Sequence, residues 1–137
     1  MIALTNSTPK KSNTNGLRPV EIHRDIAPLA DLIELVFRET MDESGRSAIR
    51  EMRYLSQMGF AWRLLSGLSD TALGMGQGFV WIEDDKLVGN SSIYPANWPR
   101  DLGEAWLIAN VGTHPDYRRK GIARQLVLAS IEQLLQL

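Results

Sequence analysis

One stretch constrains this chain more than any other. It reads Asn110-Val111-Gly112-Thr113-His114-Pro115-Asp116-Tyr117-Arg118-Arg119-Lys120-Gly121-Ile122-Ala123-Arg124. An apolar, strand-like run, Ala105 to Val111, leads into it, and a helical run, Arg119 to Leu137, leaves it. Between them lie a turn, consecutive cations and a glycine. The first amides of a helix have no intrahelical partners, and the helix dipole adds partial positive charge at that end. A strand, a tight turn and a helix in this order therefore predict a site for a phosphate-bearing polyanion. Gly121 removes a Cβ where a ligand would press on the backbone. Ala123 keeps the next turn thin, and arginine can grip phosphate oxygens at two points.

Thr5 to Gly16 is Ser, Thr, Asn, Pro and Lys almost throughout, which predicts a disordered tail over residues 1–16. Leu17 to His23 alternates loosely and predicts a first strand. Asp25 is the expected N-cap of a helix that carries Ile26, Leu29, Leu32, Ile33, Val36 and Phe37 and ends near Arg38. A second helix is expected from about Ser47, with Ile49, Met52, Leu55 and Met58 on one face, and a helical continuation over Phe60 to Leu65. The glycine-rich run Ser66 to Gly78 reads as a loop. Phe79–Ile82 and Leu87–Tyr94 around Asp84-Asp85 predict a hairpin, with Gly89 marking a bulge or a close backbone approach. Glu104 to Val111 is the next strand. The last helix should bury Ile122, Leu126, Val127, Ser130, Ile131, Leu134 and Leu135.

Within this frame, Arg118-x-x-Gly121-x-Ala123 resembles the Q/R-x-x-G-x-G/A signature of the GNAT superfamily of N-acetyltransferases. Thr113-His114-Pro115-Asp116-Tyr117 before it is similar to the family's strand end and x-P-x-Y/F turn. Gln125-Leu126-Val127 after it is similar to the start of the family's central helix. The resemblance implies an α/β (α+β) fold of order β-α-α-β-β-β-α over Leu17 to Leu137. It implies acetyl-CoA as co-substrate, its pyrophosphate held by Arg118, Arg119, Lys120, Gly121, Ile122, Ala123 and Arg124. The pantetheine arm would pair with the strand at Val111, Gly112 and Thr113. The implied reaction is direct attack of an acceptor's primary amine on the acetyl thioester. The acceptor would be a small-molecule or peptide amine.

The base in several family members is a glutamate on this strand. Glu104 is the only carboxylate on the predicted strand and lies further upstream than the family's pattern. It is a base acting through water, or else a solvated strand-end carboxylate. Trp62 and Trp98 could line an acceptor pocket, whereas Trp81 and Trp106 are expected in the core. The resemblance also implies a fifth strand, another helix and a final antiparallel pair beyond Leu137. The expectation is therefore a partial domain over residues 17–137, either a fragment or one completed by another chain, through strand exchange in a homodimer or by a separate partner.

Composition narrows the alternatives. The 137 residues contain no cysteine and two histidines, His23 and His114, so no metal site is expected. The net charge of -1 argues against nucleic acid as a partner, and four local cations do not make a wider basic surface. No apolar run approaches the ~20 residues of a membrane span. The N-terminus lacks a signal peptide's pattern, so a cytoplasmic location is expected. A second functional reading, a CoA-binding or interaction module without turnover, stays open.

Overall fold

The structure is a computed structural model, and it describes residues 15–58, 77–96, 99, 101 and 103–136. Strand β1 (Gly16–Pro19) is followed by helices α1 (Ile22–Phe37) and α2 (Glu43–Gln57). Strands β2 (Gly78–Glu83), β3 (Lys86–Pro95) and β4 (Trp106–Thr113) come next. A single 3-10 turn (Pro115–Tyr117) leads to helix α3 (Ile122–Leu135). The expected order β-α-α-β-β-β-α is the observed one, and the four strands form one antiparallel sheet in sequence order.

Helices cover both faces of the sheet. On one face α1 and α2 pack Ile26, Leu29, Ile33, Ile49, Met52 and Leu55 against Val80. On the other, α3 seats Ile122 and Leu126 on Phe79, Val88 and Ile93. The two faces alternate along β3. Ser91 points to α3, where its hydroxyl meets Ser130 Oγ at 2.8 Å. Asn90 lies opposite Val80 and therefore shares the α1–α2 face. Ser130 Oγ also donates to the Leu126 carbonyl at 2.9 Å, so this polar bridge under α3 is satisfied.

Several boundaries differ from the sequence-based expectations, each for a local reason. The first strand ends at Pro19, and α1 already starts at Ile22. Asp25 is not its N-cap: it sits inside the first turn, 2% exposed, gripped at both oxygens by Arg18 at 2.6 and 2.7 Å. It also accepts the Glu21 amide at 2.8 Å, so one carboxylate satisfies both β1 and the helix start. Helix α2 starts at Glu43 rather than Ser47, because Asp42 caps it by accepting the Gly45 amide at 2.8 Å. Gly16, expected in the disordered tail, already belongs to β1. The expected segment Phe60 to Leu65 lies outside the described residues.

Gly89 meets both halves of its expectation. The β2–β3 register shifts between Trp81 and Ile82, leaving Val88 as the extra residue. A Cβ at Gly89 would come within 2.9 Å of Ile122 Cγ2 and 3.0 Å of Leu126 Cδ1. Gly89→Ala is therefore expected to destabilise the fold by about 1–3 kcal/mol through overpacking under α3. Urea unfolding followed by circular dichroism would measure it, and an unchanged midpoint would refute the close approach.

Two expected core assignments are corrected. Trp106 is 38% exposed at the outer edge of β4, since no neighbouring strand among the described residues covers that edge. Ile131 and Leu135, expected on the buried face of the last helix, are exposed, Leu135 at 82%. On α3 the buried line is Ile122, Leu126 and Ser130, with Ala129 and Leu134 half-buried against the same core, and Ile131 and Leu135 lie off this face. Among the described residues no helix is long and apolar enough to cross a membrane.

Candidate cofactor site

The C-terminal end of β4 and the N-terminal end of α3 converge on one cavity of about 310 Å³. Val111, Gly112 and Thr113 line it from the strand. Arg118, Arg119, Gly121, Ile122, Ala123 and Arg124 line it from the turn and the first helical turn, with Tyr117 beside them and Val36 reaching over from α1. Of the residues singled out from sequence for the cofactor, Lys120 alone does not line it.

The local backbone explains the shape. Arg119 and Gly121 both adopt the left-handed conformation, at φ +66° and +76°. Two such residues in one turn curl the chain tightly ahead of α3. Gly121 is the helix N-cap and offers no side chain to the first amides. The first intrahelical bond is Gln125 N–H to the Gly121 carbonyl, at 3.1 Å. The amides of Ile122, Ala123 and Arg124 therefore have no helical acceptor, and they sit at the positive end of the dipole. A Cβ placed on Gly121 would meet nothing within 4 Å, so the space before the helix is open. Gly112 serves a different purpose: a Cβ there would press on Val36 at 3.0 Å and Phe37 at 3.4 Å, so its absence lets α1 close over the strand end.

Charge is distributed around this opening. Arg118 Nε donates to the Thr113 carbonyl at 3.3 Å, which ties the guanidinium to the cavity's strand wall. Among the described residues Arg119 and Arg124 make no salt bridge. Lys120 is turned away toward the β2–β3 hairpin, where Nζ meets Glu83 at 2.9 Å and lies 5.3 Å from the Tyr117 ring centre. The Glu83 contact raises the Lys120 pKa above its ordinary value. Tyr117 donates to Asp84 at 3.1 Å, so the hairpin tip clamps the turn from beneath at two points. Desolvation, with Asp84 adding to it, raises the tyrosine's pKa. His114 is a turn residue, as expected: its Nδ1 accepts the Asp116 amide at 3.1 Å and caps the 3-10 turn.

The other nominated residues are not brought to the cavity. Glu104 is exposed and precedes β4, at the far end of the strand from Thr113. Trp62 and Trp98 lie outside the described residues. What the sequence reading missed is a polar group on β3 and β4. Asn110 takes φ +53° where β4 bulges against Asn90 and Ser92. Asparagine tolerates that conformation better than most residues, which was the available signal.

The profile of the Acetyltransferase (GNAT) family matches residues 34–137, so the chain belongs to that family. Solved structures of similar fold include a GCN5-related N-acetyltransferase from Ralstonia eutropha (17% identity, TM-score 0.57, covering 88% of this chain and 75% of that one). The ribosomal-protein-alanine N-acetyltransferase of Brucella melitensis is also similar (18%, TM-score 0.55, 88% and 72%). So is a predicted acetyltransferase from Clostridium acetobutylicum solved with acetyl-CoA (18%, TM-score 0.54, 88% and 73%). Among curated proteins no match is found.

Proposed function

We propose that this chain binds acetyl-CoA in the cavity between β4 and α3 and transfers the acetyl group to a primary amine by direct attack in a ternary complex. One observation carries the reading. Unpartnered helix amides, Arg118, Arg119 and Arg124, and a left-handed glycine converge on a single opening. The cavity's chemistry fits the co-substrate's polar end. The buried Thr113 hydroxyl on its strand wall lacks a hydrogen-bond partner, which leaves it available to a bound arm. Acetyl-CoA supplies an activated thioester. The residues of the chain bind its phosphates, align its arm along Val111 to Thr113 and exclude water behind Val36.

Calorimetric titration of the chain with acetyl-CoA tests the reading. Saturable one-to-one binding is expected, and a folded chain with no binding would refute it. Arg118→Ala is expected to weaken binding by about 1.5–3 kcal/mol, the worth of one charge-assisted contact. Unchanged affinity would remove Arg118 from the site.

A second reading is favoured by a different observation. No carboxylate lines the cavity among the described residues, and Glu104 stands at the other end of β4. A module that binds coenzyme A without turnover would look the same. Binding of acetyl-CoA without thiol release across a panel of amines would select it.

A further inference from the structure

A second cavity, of about 250 Å³, lies between α1 and α2. Four arginines line it: Arg38 from the end of α1, and Arg46, Arg50 and Arg53 from α2. Met41 and Ile49 supply its apolar wall, Ile49 at 4% exposure. Among the described residues Glu34 is the only carboxylate lining it. This cavity is separate from the one between β4 and α3, and the two share no residue. Val36, which lines the cofactor cavity, stands two residues from both Glu34 and Arg38. Two residues turn a helix by about 200°, so the arginine-lined cavity opens on the opposite side of α1.

Its charges do not cancel. Both terminal nitrogens of Arg53 are engaged, one with Asp31 at 2.6 Å and the other with Glu34. Arg46 and Arg50 share a single carboxylate, Glu43, at 3.2 and 2.8 Å. Arg38 makes no salt bridge among the described residues. Four guanidiniums therefore face three carboxylates, Asp31, Glu34 and Glu43. Glu43 does not line the cavity, and its side chain is 72% exposed. Its hydrogen bonds to Arg50 and Arg46 hold its carboxyl below the usual range. Ion pairs this exposed contribute little to stability, so an anion inside the cavity can replace Glu43 on both guanidiniums at small cost. Arg46 is already oriented, because its Nη1 donates to the Met41 carbonyl at 2.8 Å.

We propose that the cavity between α1 and α2 binds a small organic anion, its oxyanion head held by Arg38, Arg46 and Arg50 and its apolar body resting on Met41 and Ile49. The head is a carboxylate or a phosphate, since a planar guanidinium meets either with paired hydrogen bonds. The volume falls just below the usual range for ligand sites, about 300–1,000 Å³, which suits a small molecule rather than a large cofactor. A bare inorganic ion would leave the Met41–Ile49 wall uncovered. The proposal stands independently of acetyl transfer.

The test uses the whole chain, labelled with nitrogen-15 and titrated with phenyl phosphate, benzoate, inorganic phosphate and benzamidine in turn. Phenyl phosphate and benzoate are expected to shift the backbone amides of residues 34–53 saturably, and the tighter of the two identifies the head. Inorganic phosphate should bind several-fold more weakly than phenyl phosphate, and the cation benzamidine should leave these amides unmoved. Arg38→Gln is expected to weaken the tighter probe about tenfold or more, the scale of one charge-assisted contact. Arg38 is exposed, so the variant should fold, and unchanged amide positions away from the cavity check that it has. Shifts confined to residues 111–124 would assign the probes to the cofactor cavity and overturn the proposal. So would no shift at all, a benzamidine response like that of benzoate, inorganic phosphate binding as tightly as phenyl phosphate, or unchanged affinity in a folded Arg38→Gln.

Discussion

Replacing Gly121 with aspartate is expected to abolish measurable binding of coenzyme A, a loss of about a hundredfold or more, while the chain stays folded. Aspartate is among the few residues that visit the left-handed conformation, so φ +76° does not forbid it. Nothing lies within 4 Å of the new Cβ, so packing is undisturbed. The carboxylate then stands at the helix N-cap, the position from which an acidic side chain accepts the amides of the first turn. It occupies the donors that the pyrophosphate needs and places a negative charge beside them. The left-handed backbone strains any side chain here, so a small loss of thermal stability is expected while affinity collapses. A hundredfold loss corresponds to about 2.7 kcal/mol. Gly121→Asn separates the two effects. It caps the same amides without the charge and is expected to weaken binding less. Calorimetric titration of both variants with coenzyme A decides the matter, and unchanged affinity in Gly121→Asp would remove this turn from the binding site.

That the turn could be read from sequence has a physical cause. Phosphate-binding turns at helix N-termini are local: strand end, glycine and cations are contiguous in the chain, and their geometry follows from short-range rules. The element order was legible for the same reason, since period-3.6 and period-2 patterns are local signals. What was misread depends on partners distant in sequence. Asp25 looks like an N-cap until Arg18 on β1 is placed beside it. Lys120 looks like a phosphate ligand until the hairpin brings Glu83 to it. Trp106, Ile131 and Leu135 read as core because they are apolar, but burial requires a covering neighbour, which periodicity does not supply. The Asn90–Asn110 pair was invisible because each is unremarkable alone. Only the bulged register sets them together.

Asp25→Ala is expected to cost about 3–5 kcal/mol of folding stability, a large share of the ~5–15 kcal/mol that holds a typical domain together. The carboxylate accepts both terminal nitrogens of Arg18 and the Glu21 amide, and all three bonds are lost at once, leaving the Arg18 guanidinium its bond to the Pro19 carbonyl at 3.1 Å. Arg18 cannot simply turn to water, because its side chain is only 14% exposed. Its guanidinium would stay charged, as its raised pKa beside Asp25 only strengthens a group that is always protonated. Asp31→Ala supplies the contrast. Its partner Arg53 lies 2.6 Å away, but both side chains are exposed, so about 0–1 kcal/mol is expected. Urea unfolding of the two variants measures both. Equal, small losses would mean that β1 is not pinned to α1 through this pair. The double replacement Arg18→Met with Asp25→Leu should recover most of the loss. Removing both charges avoids the cost of stranding one, and the net worth of a buried pair over an apolar one is small. Recovery would locate the penalty in the stranded guanidinium. Failure to recover would place it in the Glu21 amide, whose acceptor the double variant also lacks.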